Sequence, residues 1–285
     1  LWYRRQRQMC IRDSYYFNCL RDVDRHMMKL IHSLEETGQM DNTIIFMISD
    51  HGEMLGQQGS RGKIVSWEES IRVPTLVYHP DLKDKKLCNS VISNIDIVPT
   101  LLEFTGLSKS ELRDKHPELK GNSYAELVEN VNYDNVRDKE GHLIHGVQII
   151  PTVFEVAEKF RHTALAEGFL AKTKAFMSEG KFLPDFTPPL NYKGVVDKKH
   201  KFLRFFSPRQ NNIPTNYDEL TKYNAEYQLY DLENDPFEMN DLAKDENNRD
   251  LLMSMNDKCN TLADKEIGLE NHVIHLPGPD WFWTA

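Results

Sequence analysis

The sequence predicts an α/β protein: part of a doubly wound sheet, followed by a small C-terminal subdomain of antiparallel strands and one helix. Three observations carry that prediction. An amphipathic stretch at 16–36 leads straight into a short β-favouring run that ends on Ser49-Asp50-His51-Gly52. A second apolar run, Pro74 to Tyr78, is followed by a helical segment closed by glycine. Near the end of the chain, two alternating runs flank a polar turn, and a third strand and a last helix come after them.

The first helix is predicted over Tyr16 to Glu36, because Val23, Met27, Leu30, Ile31 and Leu34 repeat on one face of a 3.6-residue period. Gly38 ends it, since glycine takes the left-handed conformation that closes a helix. Asp41-Asn42 turns the chain into a strand over Thr43 to Ile48. Helix followed by strand is the order of a doubly wound sheet with right-handed crossovers. A strand ending in Asp-His-Gly puts two metal-capable side chains at the carboxyl edge of the sheet, where open α/β sheets bind ligands. Gly52 lets the chain turn sharply there.

Pro74 to Tyr78 reads as a second strand and Ile95 to Thr105 as a helix, with Asn94 as its cap, Pro99 tolerated near its start and Gly106 closing it. Asn130 to His142 is polar and reads as a loop; Pro151 to Glu179 reads as helical, an insertion that shapes a cleft. Tyr192 to Val196 and Lys201 to Phe206 form a predicted hairpin around Asp197-Lys198-Lys199-His200. Tyr227 to Asp231 is a third strand, and the last helix covers roughly Asn248 to Asp264. The domain division is therefore 15–190 for the α/β part and 191–285 for the C-terminal subdomain. Leu1 to Ser14 (LWYRRQRQMCIRDS) lacks a starting methionine, an apolar signal core and an amphipathic pattern; it is read as an adapter-like, non-native segment and set aside.

Composition narrows the function classes. The chain has 285 residues, 40% of them apolar, which is enough for a sizeable core. Its net charge is −9 with no basic stripe, which disfavours nucleic acid as a partner. No apolar run approaches membrane-spanning length. Cys10, Cys19, Cys88 and Cys259 are scattered without metal or disulfide-scaffold spacing and read as isolated thiols. His79, His142, His145 and His200 likewise lack ligand spacing and read as satisfied or solvated histidines. There is no N-x-S/T acceptor, which mildly disfavours a heavily glycosylated secretory protein.

The run from Ile44 to Pro74, IIFMISDHGEMLGQQGSRGKIVSWEESIRVP, resembles the sulfatase family of the alkaline-phosphatase-like superfamily. In that family a strand ends in S-D-H-G or S-D-N-G, a lysine follows thirteen residues after the Asp, and a W/Y-E-E-S-x-R-V-P run comes next. Asp50 and Lys63 have that spacing, and Trp67 to Pro74 supply the run. The segments IDIVPTLLEFTG and HKFLRFF…YQLYDLENDPFEMNDLA are also similar to family segments. The resemblance extends over most of Tyr15 to about Ala263, with a gap in the middle.

The resemblance implies an alkaline-phosphatase-like fold and hydrolysis of a sulfate ester. It implies that Asp50 and His51 are two ligands of one divalent cation, most simply Ca²⁺, with Mg²⁺ as the alternative; hard cations prefer oxygen donors, and an imidazole can add a nitrogen. Lys63 would contact the sulfate and stabilise its charge in the transition state. Where the family often has His, this chain has Gln57-Gln58, and Arg61 is the candidate replacement contact to substrate. Glu68 and Glu69 could act as an acid/base pair; a structural role near Arg72, as cap or ion-pair partner, is preferred, with Trp67 as a packing residue. The substrate would be a small-molecule or carbohydrate sulfate ester, and localisation by analogy is extracytoplasmic.

The family's nucleophile is a formylglycine made from Cys or Ser in C/S-x-P/A-x-R, and no such pattern occurs in these 285 residues. The family's paired N-terminal aspartates are missing as well. The chain therefore reads as the C-terminal part of a truncated sulfatase, inactive alone. The alternatives are a phosphodiesterase, phosphonate hydrolase or phosphoethanolamine-type transferase of the same superfamily, and a non-catalytic relative.

Overall fold

The structure, a computed structural model, describes residues 2–59, 62–63, 65–82, 85–147, 191–206, 213–223 and 226–268. Helix α1 spans Trp2–Glu36, so it begins well before Tyr16 and includes most of the segment set aside as non-native. It closes as predicted: Gly38 adopts φ 68, its N–H donates to Glu35 O at 3.1 Å, and Gln39 N–H donates to Leu34 O at 2.8 Å. That pair of bonds satisfies two carbonyls that a helix end otherwise leaves open. The buried face is narrower than predicted: Met27, Ile31 and Leu34 are half-buried, whereas Val23 and Leu30 are exposed.

Strand β1, Ile45–Ile48, pairs antiparallel with β2, Thr75–Tyr78, with Ile45 opposite Tyr78 and Ile48 opposite Thr75. The pair brings the corner after β1 beside the start of β2. Both strands are close to the predicted spans; among the described residues their pairing is antiparallel. Between them lies α2, a single helical turn over Glu68–Ile71.

Helix α3 covers Ile97–Phe104, preceded by a tight turn at Asn94–Asp96. The cap is Ser93 rather than Asn94: Asp96 reaches back to the Ser93 backbone N–H in a capping box. Helices α4 (Lys109–Lys115) and α5 (Ala125–Glu129) follow. The stretch expected to be loop instead contains α6, Val136–Glu140, and the start of β3, His142–Val147. The predicted helical insertion at 151–179 lies outside the described residues.

Strands β3, β4 (Asn191–Val196), β5 (His200–Phe206) and β6 (Glu226–Asp231) form one antiparallel sheet in sequence order. Helix α7, Tyr217–Tyr223, connects β5 to β6, and α8, Arg249–Ile267, ends the described chain. The hairpin, the third strand and the last helix were predicted; β3 and α7 were not.

Alternation along the strands gives the sheet two covered faces. On one face, Leu143, Val195, Phe202 and Leu229 pack with Leu252, Met255, Cys259 and Leu262 of α8. On the other, Ile144, Tyr192, Leu203 and Phe205 pack with Ile71 of α2. Each fully buried aliphatic side chain contributes roughly 1.5–3 kcal/mol. Cys259 is a buried free thiol and Cys19 and Cys88 are exposed free thiols, as the scattered spacing implied.

A buried ion-pair hub joins α3, α6 and α8. The Arg137 guanidinium, 1% exposed, grips Asp96 with Nε at 2.5 Å and Nη2 at 2.7 Å, and its Nη1 lies 3.1 Å from Glu266 Oε1. Asp96 also accepts the backbone N–H of Ser93 and of Asn122, so all its lone pairs are used. Removing one partner of such a hub leaves uncompensated buried charge. Arg137→Met is therefore expected to lower stability by about 3–5 kcal/mol in urea unfolding; a loss under about 1 kcal/mol would contradict this role.

His142 lies near the same arginine. Desolvation, with the Arg137 charge second, pushes its pKa down to about 4. Below the usual imidazole range the unfolded chain binds a proton that the folded chain refuses, so stability falls as pH drops from about 6.5 towards 4. His142→Phe is expected to flatten that part of a pH–stability curve measured by urea melts; an unchanged slope would assign it to other groups.

Candidate functional site

The corner that follows β1 is built by backbone contacts. The Gly52 N–H donates to Ser70 O in α2 at 2.7 Å. A Cβ at Gly52 would lie 2.0 Å from Glu69 O and 3.3 Å from Arg72 O, so only glycine lets the corner rest on that helical turn. Ser49 Oγ donates to His51 O at 2.8 Å, and Asn94 Nδ2 donates to Ser49 O at 3.2 Å. The loop beyond is held by Met54 N–H to Gly62 O at 2.9 Å and Gly62 N–H to Glu53 Oε1 at 2.7 Å. Those bonds bring Lys63 back to His51.

Three of the predicted residues, Asp50, His51 and Lys63, meet here. His51 Nδ1 lies 2.7 Å from Gly52 O; a carbonyl only accepts, so this nitrogen carries the proton and Nε2 presents a lone pair. Lys63 Nζ donates to Nε2. Asp50 Oδ2 lies 3.3 Å from the same Nε2. Two lone-pair donors that face each other this closely repel unless positive charge lies against both. Lys63 supplies such charge, and a divalent cation fits the same pair; an Nδ1–H held by a backbone carbonyl is the usual orientation of a metal-binding imidazole.

The Asp50 side chain is 81% exposed and that of His51 36%, so both can be reached from solvent. The His51 backbone N–H holds the Asp50 carboxyl below its ordinary pKa, with the Lys63 charge adding a smaller effect. Asp50 is thus ionised, as a ligand for a hard cation must be. Among the described residues no group of three or more His, Cys, Asp or Glu is placed to hold a metal. Asp50 and His51 would supply only two donors of such a cation's coordination shell.

The remaining predicted residues divide. Arg61 lies outside the described residues. Glu68 is structural, as preferred, but its partner is Lys201 Nζ at 3.3 Å rather than Arg72. Trp67 packs on Tyr230, ring centroids 6.0 Å apart. Gln58 donates to Phe237 O at 2.7 Å, which pins the site loop to the C-terminal part. Sequence reasoning missed Lys201 and Glu238, whose carboxylate accepts the Glu68 N–H at 2.8 Å. The available signal was a lysine within an apolar strand, HKFLRFF, where full burial demands a partner.

A carboxylate, an imidazole and an ammonium thus meet at the strand end, within reach of solvent. Comparison with known proteins shows what this segment is similar to. The family model for Sulfatase matches residues 6–107, a span that includes all three residues. The arylsulfatase of Clostridium perfringens is 33% identical over 121 residues, 41% of this chain and 24% of that protein. The choline-sulfatase of Rhizobium meliloti is 37% identical over 98 residues, 34% of this chain and 19% of that protein.

Among solved structures, one in complex with its substrate D-glucosamine-2-N,6-O-disulfate aligns over 89% of this chain and 40% of its own, with TM-score 0.58 and 19% identity. The phosphonate monoester hydrolase of Agrobacterium radiobacter aligns over 90% and 43%, with TM-score 0.56 and 21% identity. The sequence likeness to sulfatases is thus concentrated in residues 6–107, and the chain shares the α/β fold of these solved structures. The matched segments span 9% to 24% of the length of the curated relatives.

Gly52→Ala tests the geometry of the corner. Its Cβ would have to displace Glu69 O, and overpacking of this kind costs about 1–3 kcal/mol. The expected result is a lower melting temperature together with altered NMR shifts of the His51 ring. Wild-type shifts in a stably folded variant would show that the corner does not lean on α2.

Proposed function

We propose that this chain carries part of the active site of a sulfuric ester hydrolase, a sulfatase. The observation that carries the reading is the convergence of Asp50, His51 and Lys63 inside a segment of sulfatase sequence. In this reading Asp50 and His51 hold one Ca²⁺, or Mg²⁺, which supplies charge neutralisation at the sulfate oxygens. Lys63 Nζ, which lies against His51, would contact a non-bridging sulfate oxygen and stabilise the charge that develops there. Arg61 is the candidate for a further contact with substrate. The nucleophile is a formylglycine from sequence outside these 285 residues, because no C/S-x-P/A-x-R pattern occurs within them. The chain alone is accordingly expected to be inactive.

The substrate is a small-molecule or carbohydrate sulfate ester. Support comes from the relatives' range, from choline-sulfatase to the N-acetylglucosamine-6-O-sulfatase of Bacteroides thetaiotaomicron. An extracytoplasmic location is supported by likeness to an extracellular sulfatase homolog of Drosophila melanogaster. No helix among the described residues is long and apolar enough to cross a membrane.

The test is to assay the gene product extended upstream against 4-nitrophenyl sulfate, a glucosamine 6-sulfate and bis-4-nitrophenyl phosphate. Sulfate hydrolysis that is lost in chelator and lowered about 10²–10³-fold in kcat by Lys63→Ala is expected. Faster turnover of the phosphate diester would move the protein to the phosphodiesterase and phosphonate-hydrolase group, whose fold it shares.

A further inference from the structure

The corner that carries Asp50 and His51 rests on α2, and α2 is itself fixed from the far end of the chain. Lys201, on β5, is fully buried, with its Nζ 2.5 Å from Glu238 Oε1 and 3.3 Å from Glu68 Oε1. The other oxygen of Glu238 accepts the Glu68 N–H at 2.8 Å, so Glu238 grips both the first residue of α2 and the lysine that pairs with that residue's side chain. Two residues further along, Ser70 O accepts the Gly52 N–H. A continuous path of short polar contacts thus runs from the C-terminal sheet through α2 to the strand end.

The path has no slack. An ammonium without water contact keeps its charge only where carboxylates meet it. If Lys201 moves, Glu68 and Glu238 must follow or be left charged and desolvated. Burial raises the pKa of Glu238, with the Lys201 charge acting against that shift. The apolar surroundings reinforce the path, since Ile71 packs on the sheet and Trp67 on Tyr230.

We propose that Lys201 and Glu238 are positioning residues for the Asp50–His51–Lys63 site: through Glu68 they set the height of α2 and hence the direction in which the strand end presents its two ligands. This rests on the reading of Asp50 and His51 as the cation ligands. It implies that the C-terminal subdomain is part of the site's machinery and not only a cover for the sheet.

The experiment compares the whole chain with Glu238→Gln, Glu68→Gln and the control Leu252→Ala, which sits on the opposite, α8 face of the sheet. Hydrogen exchange at the Gly52 amide and a terbium titration are measured on each. Both glutamine variants are expected to speed Gly52 exchange about tenfold while the amides of β5 keep their protection. Leu252→Ala should do the reverse. Terbium affinity is expected to fall by about tenfold in Glu238→Gln, as it does when support of a metal ligand is lost, and to hold in Leu252→Ala.

Should Glu238→Gln fail to fold, the half-buried Glu68→Gln carries the same comparison. Gly52 exchange unchanged in the glutamine variants, or raised equally by Leu252→Ala, would overturn the positioning role. Absence of terbium binding to the wild-type chain would instead count against the cation-site reading, and the exchange data would still decide whether Lys201 and Glu238 set the corner.

Discussion

A lysine ammonium sealed from water keeps its full charge most readily where carboxylates meet it, and in this protein Lys201 is held in that way. Its partners come from distant parts of the sequence, Glu68 and Glu238, and they cannot meet it unless the C-terminal sheet lies against the helical turn beneath the site. The Asp96–Arg137–Glu266 hub imposes a similar condition between α3, α6 and α8. Buried ion pairs add little net stability once desolvation is counted, but a mispaired arrangement costs several kcal/mol. Their effect here is to select one docking of the elements over others that would bury as much apolar surface.

That selection matters because the site has almost no packing of its own. Asp50 is mostly exposed, His51 is one-third exposed, and their loop is held by backbone hydrogen bonds and one glycine contact. The proposed chemistry would need the opposite of a buried core: open ligands and a cation that an anion can reach. Rigidity therefore has to be supplied from beneath, by α2 and the sheet that holds it. The electrostatics agree with this division. At the surface of the site the Lys63 charge offsets the repulsion between the Asp50 carboxylate and the His51 lone pair, whereas the buried Lys201 and Arg137 each meet two carboxylates.

Much of this was legible in the sequence, and what was not has a common cause. The strand leading to Asp50, the need for Gly52 and the thirteen-residue spacing to Lys63 are local or at fixed short range, and they appear where the sequence indicated. The hairpin and the last helix follow from alternation and periodicity. The capping box of Ser93 and Asp96 was readable from its spacing but was assigned one residue late. Strand β3 was missed because polar sequence precedes it and its partner is separated from it in the chain; pairing, rather than propensity, makes it a strand. The partners of Lys201 and Arg137 could not be read at all, since a charged residue carries no local mark of which opposite charge it will meet. The apolar face of α1 was read as wider than the one the described residues cover.

The measurement that bears most directly on the central claim is an NMR titration of the isotopically labelled chain with Mn²⁺, a paramagnetic substitute for the proposed cation. Signal loss centred on Asp50, His51 and Lys63, and reversed by excess Ca²⁺ or Mg²⁺, is the predicted result. Broadening centred instead on the acidic turn around Asp231 and Asp235, with the strand end untouched, would contradict the assignment of Asp50 and His51 as the cation ligands.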